Sequence, residues 1–356
     1  MTTTLDQAKS DAFGERMVAL MNTCGLAVMT SVGHRTRLFD AMADLPPSTS
    51  SEIAKKASLN ERYVREWLGS MVTGGVVDFD AAAKTYRLPA EHTAWLTRAA
   101  SPNNLASAVQ WLAVMGQVED EIVKAFEHGR GVPYSSYPRF HEVMAEESAQ
   151  TVVAALIEHI LPLVPGLIAD LERGIDVLDI GCGAGRAMIY LAEKFPRSRF
   201  CGYDFSSEGI GLANAAAKQQ ELTNARFEVK DVAAFADTQK FDLITAFDAI
   251  HDQAKPDGVL ENVARALKSD GVFLMQDIMG SGHVEQDRSL PLATFCYAIS
   301  CMHCMSVSLA NGGPGLGAMW GKEIALQMLD AAGFKNVRVE TLPHDMINYY
   351  YVCRLK

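Results

Sequence analysis

The sequence has little in common with secreted, membrane or nucleic-acid-binding proteins. Its seven cysteines are an odd number scattered through 356 residues, which argues against a disulfide framework. No apolar run reaches the roughly 18 residues that a membrane-spanning helix needs, and no basic stretch leads into an apolar one at the N-terminus, so no secretory signal is expected. The net charge is −11, and so acidic a chain repels a phosphate backbone. We therefore expect a cytoplasmic globular protein with no membrane segment and no nucleic-acid partner.

The first hundred residues have the pattern of a small, mostly helical domain. Ser51 is expected to cap one helix, and a second is expected from Asn60, with apolar residues at 3.6-residue spacing. Two short β-like pieces, VVDF and TYRL, follow Gly74 and Gly75. This order of helix, turn, helix and β-hairpin predicts a winged-helix domain over residues 1–100.

The pattern changes twice in the rest of the chain. Residues 101–172 carry apolar residues at helical spacing, which predicts a helical linker or substrate-capping region. Short apolar strands then alternate with helices, which predicts an α/β domain over residues 173–356. We expect a Rossmann-like sheet of seven strands, mostly parallel with the last strand antiparallel, and a helical insertion near 288–318.

A glycine loop directly follows the first of these strands, in IDVLDIGCGAGRAMIY. Gly181, Gly183 and Gly185 allow a tight turn and let a ligand lie against the backbone, which favours a nucleotide site over a plain turn. The spacing differs from the dinucleotide pattern G-x-G-x-x-G, and no G-x-x-x-x-G-K-[ST] phosphate loop occurs. Asp179, two residues before the loop, would repel a pyrophosphate but hold a ligand with an ammonium and a sulfonium group. S-adenosylmethionine is such a ligand.

Residues at the next strand ends support a single donor site. Asp204 follows the second strand, 19 residues after the last glycine, and is expected to accept the ribose hydroxyls. Phe205 is expected to face the adenine ring, and Asp231, after the third strand, to accept the adenine amino group. Taken alone, each acid reads better as a helix cap or a solvated loop carboxylate. The candidate site also includes three flanking residues, Cys182, Val232 and Phe247.

These motifs carry a resemblance to a known family. Residues 175–356 resemble a class I S-adenosylmethionine-dependent methyltransferase, because VLDIGCGAG matches its first motif and Asp204 and Asp231 fall at its second and third acidic positions. The whole chain is similar to the plant-type small-molecule O-methyltransferases, and closer still to winged-helix methyltransferases of undefined substrate. The resemblance implies S-adenosylmethionine as cofactor and a small-molecule substrate. It also implies a homodimer, because the winged helix of these enzymes is a dimerisation domain.

The candidate catalytic base is His251, just past the fourth strand in FDLITAFDAIHDQAKP. The crevice of an α/β sheet lies beyond the carboxyl ends of its strands, and a histidine titrates near neutrality, as a general base should. Plant-type O-methyltransferases carry their catalytic histidine in a similar His-Asp context, although the tryptophan that usually follows is absent here. They orient it with an acid at the end of the fifth strand, which corresponds to Asp277. Two alternatives stay open: His251 only positions substrate, or Asp248 or Asp252 is its partner.

The absence of certain motifs narrows the choice of methyl acceptor. The tetrapeptides Asn-Pro-Pro-Tyr and Asp-Pro-Pro-Tyr and a Pro-Cys pair do not occur, which argues against nucleobase methylation. A small-molecule hydroxyl is the favoured acceptor, with nitrogen, sulfur and carboxylate groups left open. The alternative function is a winged-helix transcriptional regulator that senses the cofactor. Residues 1–100 argue against it, because 11 basic and 11 acidic residues leave no basic excess for DNA.

One segment has metal-ligand residue types but is not expected to hold a metal. In SCMHCMSVSL, Cys301 and Cys304 would share one face of an α-helix while His303 points elsewhere. No second Cys/His pair lies at zinc-finger spacing. We expect a helix that lines an apolar pocket. The glycine-rich NGGPGLGAMWG that follows reads as a mobile loop near the site or as an ordinary connector.

Overall fold

Residues 5–356 are described by a computed structural model, in which the chain divides into two units between Ala113 and Val114. The predicted helical region 101–172 is therefore shared between the two units instead of forming a part of its own. The reason is that the helix Leu105–Ala108 packs on N-terminal helices, whereas the chain from Val114 onward belongs with the sheet.

The N-terminal unit has the predicted order of helix, turn, helix and β-hairpin. Its two short strands pair antiparallel, with Phe79 opposite Tyr86. A winged-helix domain is thereby confirmed. Its elements are α1 (Gln7–Arg35), α2 (Leu38–Ala43), α3 (Ser50–Ala57), α4 (Glu61–Thr73), β1 (Asp78–Asp80), β2 (Thr85–Arg87), α5 (Ala90–Leu96) and α6 (Leu105–Ala108), with a 3₁₀ turn at Arg98–Ala100.

The cap of α3 lies two residues earlier than predicted. Thr49 is the N-cap, and its hydroxyl accepts a hydrogen bond from the Glu52 N–H while the Glu52 carboxylate accepts from the Thr49 N–H at 2.8 Å. This reciprocal pair is a capping box, which satisfies two backbone donors at once. Ser51, the predicted cap, is an exposed residue inside the first turn.

Helix α4 supplies much of the core of this unit. Asn60 caps it by accepting from the Arg62 N–H, and its apolar face is buried. Trp67 on that face packs edge to face against Phe39 and donates its indole N–H to Met29 O on α1 at 2.8 Å. The second half of α1 is therefore held in the core.

The first half of α1 is different, because it exposes large apolar side chains. Phe13, Met17 and Met21 are 60%, 42% and 74% exposed. By length and composition alone, Gln7–Arg35 and Ala293–Ala310 are apolar enough to cross a membrane, which the search for apolar runs did not predict. Each also carries buried side chains packed inside its own unit, as a core helix does.

The C-terminal unit is built on a seven-stranded sheet. Its strands are β3 (Asp176–Ile180), β4 (Arg199–Asp204), β5 (Ala225–Val229), β6 (Phe241–Phe247), β7 (Leu267–Ile278), β8 (Asn336–Glu340) and β9 (Asn348–Arg354). The strand order is β5-β4-β3-β6-β7-β9-β8. The last strand, β9, runs antiparallel to both neighbours, and the other six strands share one direction, as predicted.

Helices cover both faces of this sheet. Val177 and Leu178, which are successive residues of β3, belong to two different hydrophobic clusters, because successive side chains of a strand point to opposite faces. Both faces are thus buried, which explains the continuous apolar run of β3. The helices are α7 (Trp111–Gly116), which crosses the division between the units, α8 (Glu119–His128), α9 (Phe140–Ser148), α10 (Leu167–Arg173), α11 (Arg186–Lys194), α12 (Ser207–Gln219), α13 (Pro256–Ala266), α14 (Val284–Asp287), α15 (Ala293–Ile299), α16 (Met305–Ala310) and α17 (Lys322–Ala331), with 3₁₀ turns at Tyr134–Ser136 and Leu161–Leu163 and π-helical turns at Ala149–Val153, Leu156–Ile160 and Ser300–Cys304.

The π-helical turn at Ser300–Cys304 corrects one prediction. Between α15 and α16 it interrupts the α-helix that was expected at SCMHCMSVSL, within the predicted helical insertion near 288–318. His303 and Cys304 are both buried there, whereas an unbroken α-helix was expected to turn His303 away from the cysteines. A π-helical turn holds an extra residue and so changes which side chains face inward.

We expect Thr49→Ala to lower the free energy of unfolding by about 1 kcal/mol, because α3 loses the side-chain half of its capping box. Ser51→Ala is the matched control and should change stability by less than about 0.5 kcal/mol. Urea unfolding of the full chain, followed by circular dichroism, measures both values. Equal effects of the two substitutions would contradict the assignment of Thr49 as the cap.

Candidate active site

A cleft of about 900 Å³, counting space open to solvent, lies where the parallel strands β3, β4 and β6 end. Ligands of open α/β sheets bind in this place because the loops after the strands converge there. Residues 134–148, which precede the sheet in sequence, supply another wall. The predicted site residues that line the cleft are Asp179, Gly181, Cys182, Gly183, Asp204, Phe205, Val232 and Phe247.

The glycine loop joins β3 to α11 and is tied to the end of β4. Gly183 donates its N–H to Asp204 Oδ2 at 2.8 Å, and a Cβ on Gly183 would meet no atom within 4 Å. This side of the loop is therefore open to a ligand. Gly185 has a different role, because its φ is +69° and a Cβ there would come within 2.5 Å of the Phe227 ring. Gly185 shapes the turn and is not among the residues that line the cleft, so its contact with a ligand stays a prediction.

Two of the predicted acids are buried in the cleft. Asp179 accepts a hydrogen bond from Thr245 Oγ1 at 2.6 Å, and burial raises its pKa to about 7. Asp204 accepts from the N–H groups of Gly183 and Ser206, each at 2.8 Å, and burial raises its pKa above the usual range. Buried carboxylates are costly to ionise without positive charge nearby, so both favour a cationic ligand.

Two more acids line the same cleft. Asp252 accepts a hydrogen bond from the Tyr134 hydroxyl, and burial raises the pKa of Asp252 to about 6. Asp248 accepts from Gln276 Nε2 at 3.0 Å, and burial raises the pKa of Asp248 well above its usual value. The sequence suggested these acids only as rival partners of His251. The structure gives both of them other partners and places four carboxyl groups in one cleft.

Asp231 is the predicted donor-site acid that does not line the cleft. Its side chain is exposed just after β5, and Oδ1 accepts the N–H of Ala233 at 2.9 Å. The carboxylate caps a local turn, which is the alternative that the sequence left open. The contact of this side chain with an adenine amino group stays a prediction, and the neighbouring Val232 does line the cleft.

His251 and Asp277 form a buried pair beside the cleft. His251 Nδ1 donates to Asp277 Oδ1 at 2.7 Å. Burial alone would lower the pKa of His251, but the Asp277 carboxylate outweighs burial and raises that pKa well above its usual value. Asp277 Oδ1 also accepts the N–H of Ile278 at 2.8 Å and the indole N–H of Trp320 at 3.0 Å. Asp277, and neither Asp248 nor Asp252, is therefore the partner of His251.

Residues 134–148 contain functional candidates that the sequence analysis placed only as a region. Tyr134, Phe140, His141 and Met144 line the cleft. The Tyr134 and Phe205 ring centroids lie 5.2 Å apart. The signal that could have found these residues is the aromatic-rich run VPYSSYPRFH, inside a break that otherwise reads as a linker.

The π-helical turn contributes two further side chains near His251. His303 stacks on Phe140 with ring centroids 4.5 Å apart, and burial lowers its pKa to about 3, so this imidazole is neutral. Cys304 lies within hydrogen-bonding reach of the His251 imidazole. Among residues 5–356, no group of three or more His, Cys, Asp or Glu side chains is arranged to hold a metal ion.

The N-terminal unit carries little free positive charge on α4, the second helix of its helix-turn-helix. Arg65 lies 3.4 Å from the Glu61 carboxylate, and Arg62 forms an ion pair with Glu66. These pairs offset the arginines that a DNA-reading helix would present to phosphates. The regulator alternative is therefore not favoured.

Two family models match the chain. Residues 24–98 match a Rv2258c-like winged HTH domain, and residues 171–339 match a methyltransferase domain. Together they cover the two regions in which the sequence predicted a winged helix and a nucleotide-binding sheet.

Curated relatives match over a limited length. An (S)-coclaurine N-methyltransferase from Papaver somniferum is 27% identical over 110 residues, which are 31% of this chain and 31% of that protein. A fatty-acid O-methyltransferase from Mycolicibacterium smegmatis is 33% identical over 109 residues, which are 31% of this chain and 39% of that protein. The chain thus matches well under half the length of these relatives, and their names differ in the acceptor atom.

Solved structures match nearly the whole chain. Human N-acetylserotonin methyltransferase, solved with S-adenosylmethionine, has a TM-score of 0.68 and 17% identity over 99% of both chains. Mitomycin 7-O-methyltransferase MmcR has a TM-score of 0.66 and 16% identity, with 98% of this chain and 99% of that chain covered. Identity this low establishes the fold. The structures solved with S-adenosylmethionine or its demethylated product agree with the methyltransferase domain in pointing to this cofactor.

We expect S-adenosylmethionine to bind roughly tenfold more tightly at about pH 8 than at about pH 5.5, a difference of about 1.4 kcal/mol. Burial raises the pKa of Asp179 to about 7 and of Asp252 to about 6, so at the lower pH both carboxyl groups take up protons and lose the charge that attracts a cation. Calorimetric titration across this range measures the effect. Asp179→Asn should flatten the dependence, and the exposed Asp231→Asn should leave it intact. An affinity of the wild type that does not change with pH would contradict the prediction.

Proposed function

We propose that this chain, a class I S-adenosylmethionine-dependent methyltransferase with an N-terminal winged-helix domain, methylates a hydroxyl group on a small molecule. The observation that carries the proposal is the buried His251–Asp277 pair beside a cleft that holds four carboxyl groups. A methyl donor that is a sulfonium cation suits the acids, and an acceptor that must lose a proton suits the histidine.

The residues of the cleft fit S-adenosylmethionine. The open side of Gly183 leaves room against the backbone, and Asp179 and Asp252 supply the negative charge that an ammonium and a sulfonium require. Asp204, at the end of β4, is the proposed partner of the ribose hydroxyls, and Arg186 lines the cleft as a cation for the carboxylate. When bound, S-adenosylmethionine supplies a methyl group made electrophilic by its sulfonium.

His251 is the proposed general base. Its Nδ1–H is held by Asp277 Oδ1 at 2.7 Å, so the neutral imidazole carries its lone pair on Nε2. As the proposed base, this nitrogen would take the proton of the acceptor hydroxyl, and the Asp277 carboxylate would stabilise the imidazolium that forms. Although burial opposes it, the Asp277 carboxylate raises the pKa of His251 and so makes this imidazole a stronger base.

The need for a base is what favours oxygen as the acceptor atom. A hydroxyl is a weak nucleophile until its proton is removed, whereas a neutral amine already offers a lone pair. A buried carboxylate that holds one tautomer of a histidine would add little to an amine acceptor. The names of the curated relatives include both kinds of acceptor, so the argument rests on His251 and Asp277.

The N-terminal unit is the proposed homodimerisation domain of a cytoplasmic enzyme. Phe13, Met17, Leu20 and Met21 on the first half of α1 are all exposed by 42% or more. Apolar side chains grouped on one helical segment are a frequent feature of subunit interfaces. A second copy of the same segment would remove them from water.

We expect His251→Ala to slow methyl transfer by about 10²–10⁴-fold, the usual contribution of a general base, while binding of S-adenosylhomocysteine is kept. The assay supplies methyl-labelled S-adenosylmethionine and a metabolite extract, and mass spectrometry identifies the compounds that gain the label. Asp277→Asn should also slow the reaction, because an amide no longer stabilises the imidazolium. His128→Ala, at an exposed histidine on α8, is the control and should keep the wild-type rate. A wild-type rate in His251→Ala would disprove the base assignment.

We expect the wild-type chain to be a dimer and the double variant Phe13→Asp/Met21→Asp to be a monomer, because two carboxylates cannot be buried in an apolar interface. Light scattering after size-exclusion chromatography measures both masses. Phe126→Asp on α8 is the matched control, since Phe126 is exposed by 78% but lies outside the N-terminal unit. A monomeric wild type, or a double variant that stays dimeric, would refute the proposed interface.

A further inference from the structure

We propose that Trp320 is a positioning residue for the His251–Asp277 pair, and that the glycine-rich segment 311–321 serves to place it there. The inference deepens the proposed function and rests on it for the catalytic meaning of His251. The proposal gives a structural role to segment 311–321, which the sequence alone described only as a mobile loop or a connector.

The hydrogen bonds of Asp277 show why its orientation needs support. Its Oδ1 accepts three donors: His251 Nδ1 at 2.7 Å, the Ile278 N–H at 2.8 Å and Trp320 Nε1 at 3.0 Å. Its Oδ2 is buried and accepts no hydrogen bond from the residues described. Because all three donors meet the same oxygen, rotation of the carboxylate would break every one of them at once. The Trp320 indole is the only one of the three that is neither the base itself nor the adjoining backbone.

Segment 311–321 is anchored to the loop that carries the base. Gly317 donates its N–H to the carbonyl oxygen of His251 at 3.3 Å, and Ala318 donates its N–H to Ser300 Oγ at 3.0 Å. A Cβ on Gly317 would lie 2.3 Å from Ser300 Oγ, and φ is +72° at this residue. Only glycine allows so close an approach with this backbone conformation. The segment is therefore fixed in place, and it carries Trp320, whose side chain is buried and only 4% exposed.

Other ionisable side chains lie near the His251–Asp277 pair, so a fixed orientation of the Asp277 carboxylate matters. Asp248 and Asp252 are further buried acids whose charges act on His251, and Cys304 lies against the same imidazole. If the Asp277 carboxylate turned away from Nδ1, it would no longer hold the proton there, and His251 would divide between two tautomers. With the Trp320 indole in place, one oxygen of Asp277 faces Nδ1 and leaves Nε2 as the proton acceptor.

The first test uses the wild-type protein labelled with ¹⁵N at its histidine and tryptophan side chains. Because Trp320 and His251 share Asp277 Oδ1, the Trp320 indole resonance should shift with the same pH midpoint as the His251 imidazole. The Trp67 indole, bonded to the Met29 carbonyl at 2.8 Å in the N-terminal unit, is the internal control and should not follow that midpoint. A Trp320 resonance that does not respond to His251 would overturn the proposal.

The second test compares Trp320→Phe with Trp67→Phe, each of which removes one buried indole donor. In Trp320→Phe we expect His251 to lose its single Nδ1–H tautomer and its titration midpoint to fall by about half a pH unit or more. In Trp67→Phe both should stay at the wild-type values. S-adenosylhomocysteine binding by calorimetry reports whether the cleft of each variant is intact. A Trp320→Phe protein that binds this ligand and keeps the wild-type tautomer, with its midpoint unchanged or raised, would overturn the proposal.

These readouts do not require the methyl acceptor, so they separate the inference from the proposed function. If Trp320 and His251 titrate together but His251→Ala still transfers methyl groups at the wild-type rate, the positioning is confirmed and the base role fails. If His251→Ala is inactive and Trp320→Phe leaves the imidazole unchanged, the base role stands and the positioning by Trp320 is wrong.

Discussion

The common direction of β3, β4, β6 and β7 is the constraint on which the site depends. Parallel strands end at one edge, so the glycine loop, Asp204, the segment 248–252 and Asp277 must all emerge there, although they are spread over about a hundred residues of sequence. The alternation of side chains then decides which of them face the cleft, and a shift of one residue in strand pairing would reverse it. Burial on both faces of the sheet holds that pairing in register.

Negative charge is costly where water is excluded, and four carboxyl groups of the cleft bear this cost. Asp179, Asp204, Asp248 and Asp252 each accept at least one hydrogen bond, which reduces the penalty of their burial but leaves their pKa values above the usual range. Asp277 differs, because three donors, one of them the His251 imidazole, surround a single oxygen. The four acids of the cleft lie where a cationic ligand can reach them, whereas Asp277 is already paired with His251.

Much of this arrangement could be predicted from local sequence, and the rest depends on distant contacts. Strand ends and the glycine spacing are local signals, and the cleft followed from them. The pairing of His251 with Asp277 was instead implied by the resemblance to plant-type O-methyltransferases. The choice between Thr49 and Ser51 as a cap depends on backbone angles that either residue type tolerates. The position of Asp231 was harder to predict, because an acid after a strand serves equally well in a turn, and its side chain caps one here. The bond between Trp320 and Asp277 joins residues 43 positions apart, and no spacing rule connects them.

The π-helical turn at Ser300–Cys304 packs against the cleft residue Phe140 through His303, and its length can change in evolution. Such a turn holds one residue more than the α-helical geometry around it. Loss of a single codon there would restore a regular helix and rotate the flanking side chains by about 100° relative to one another. Neighbouring side chains would then replace His303 and Cys304 at the buried positions in one step. Length changes in this helix, as well as point substitutions, can therefore alter the side chains that pack against Phe140 and His251.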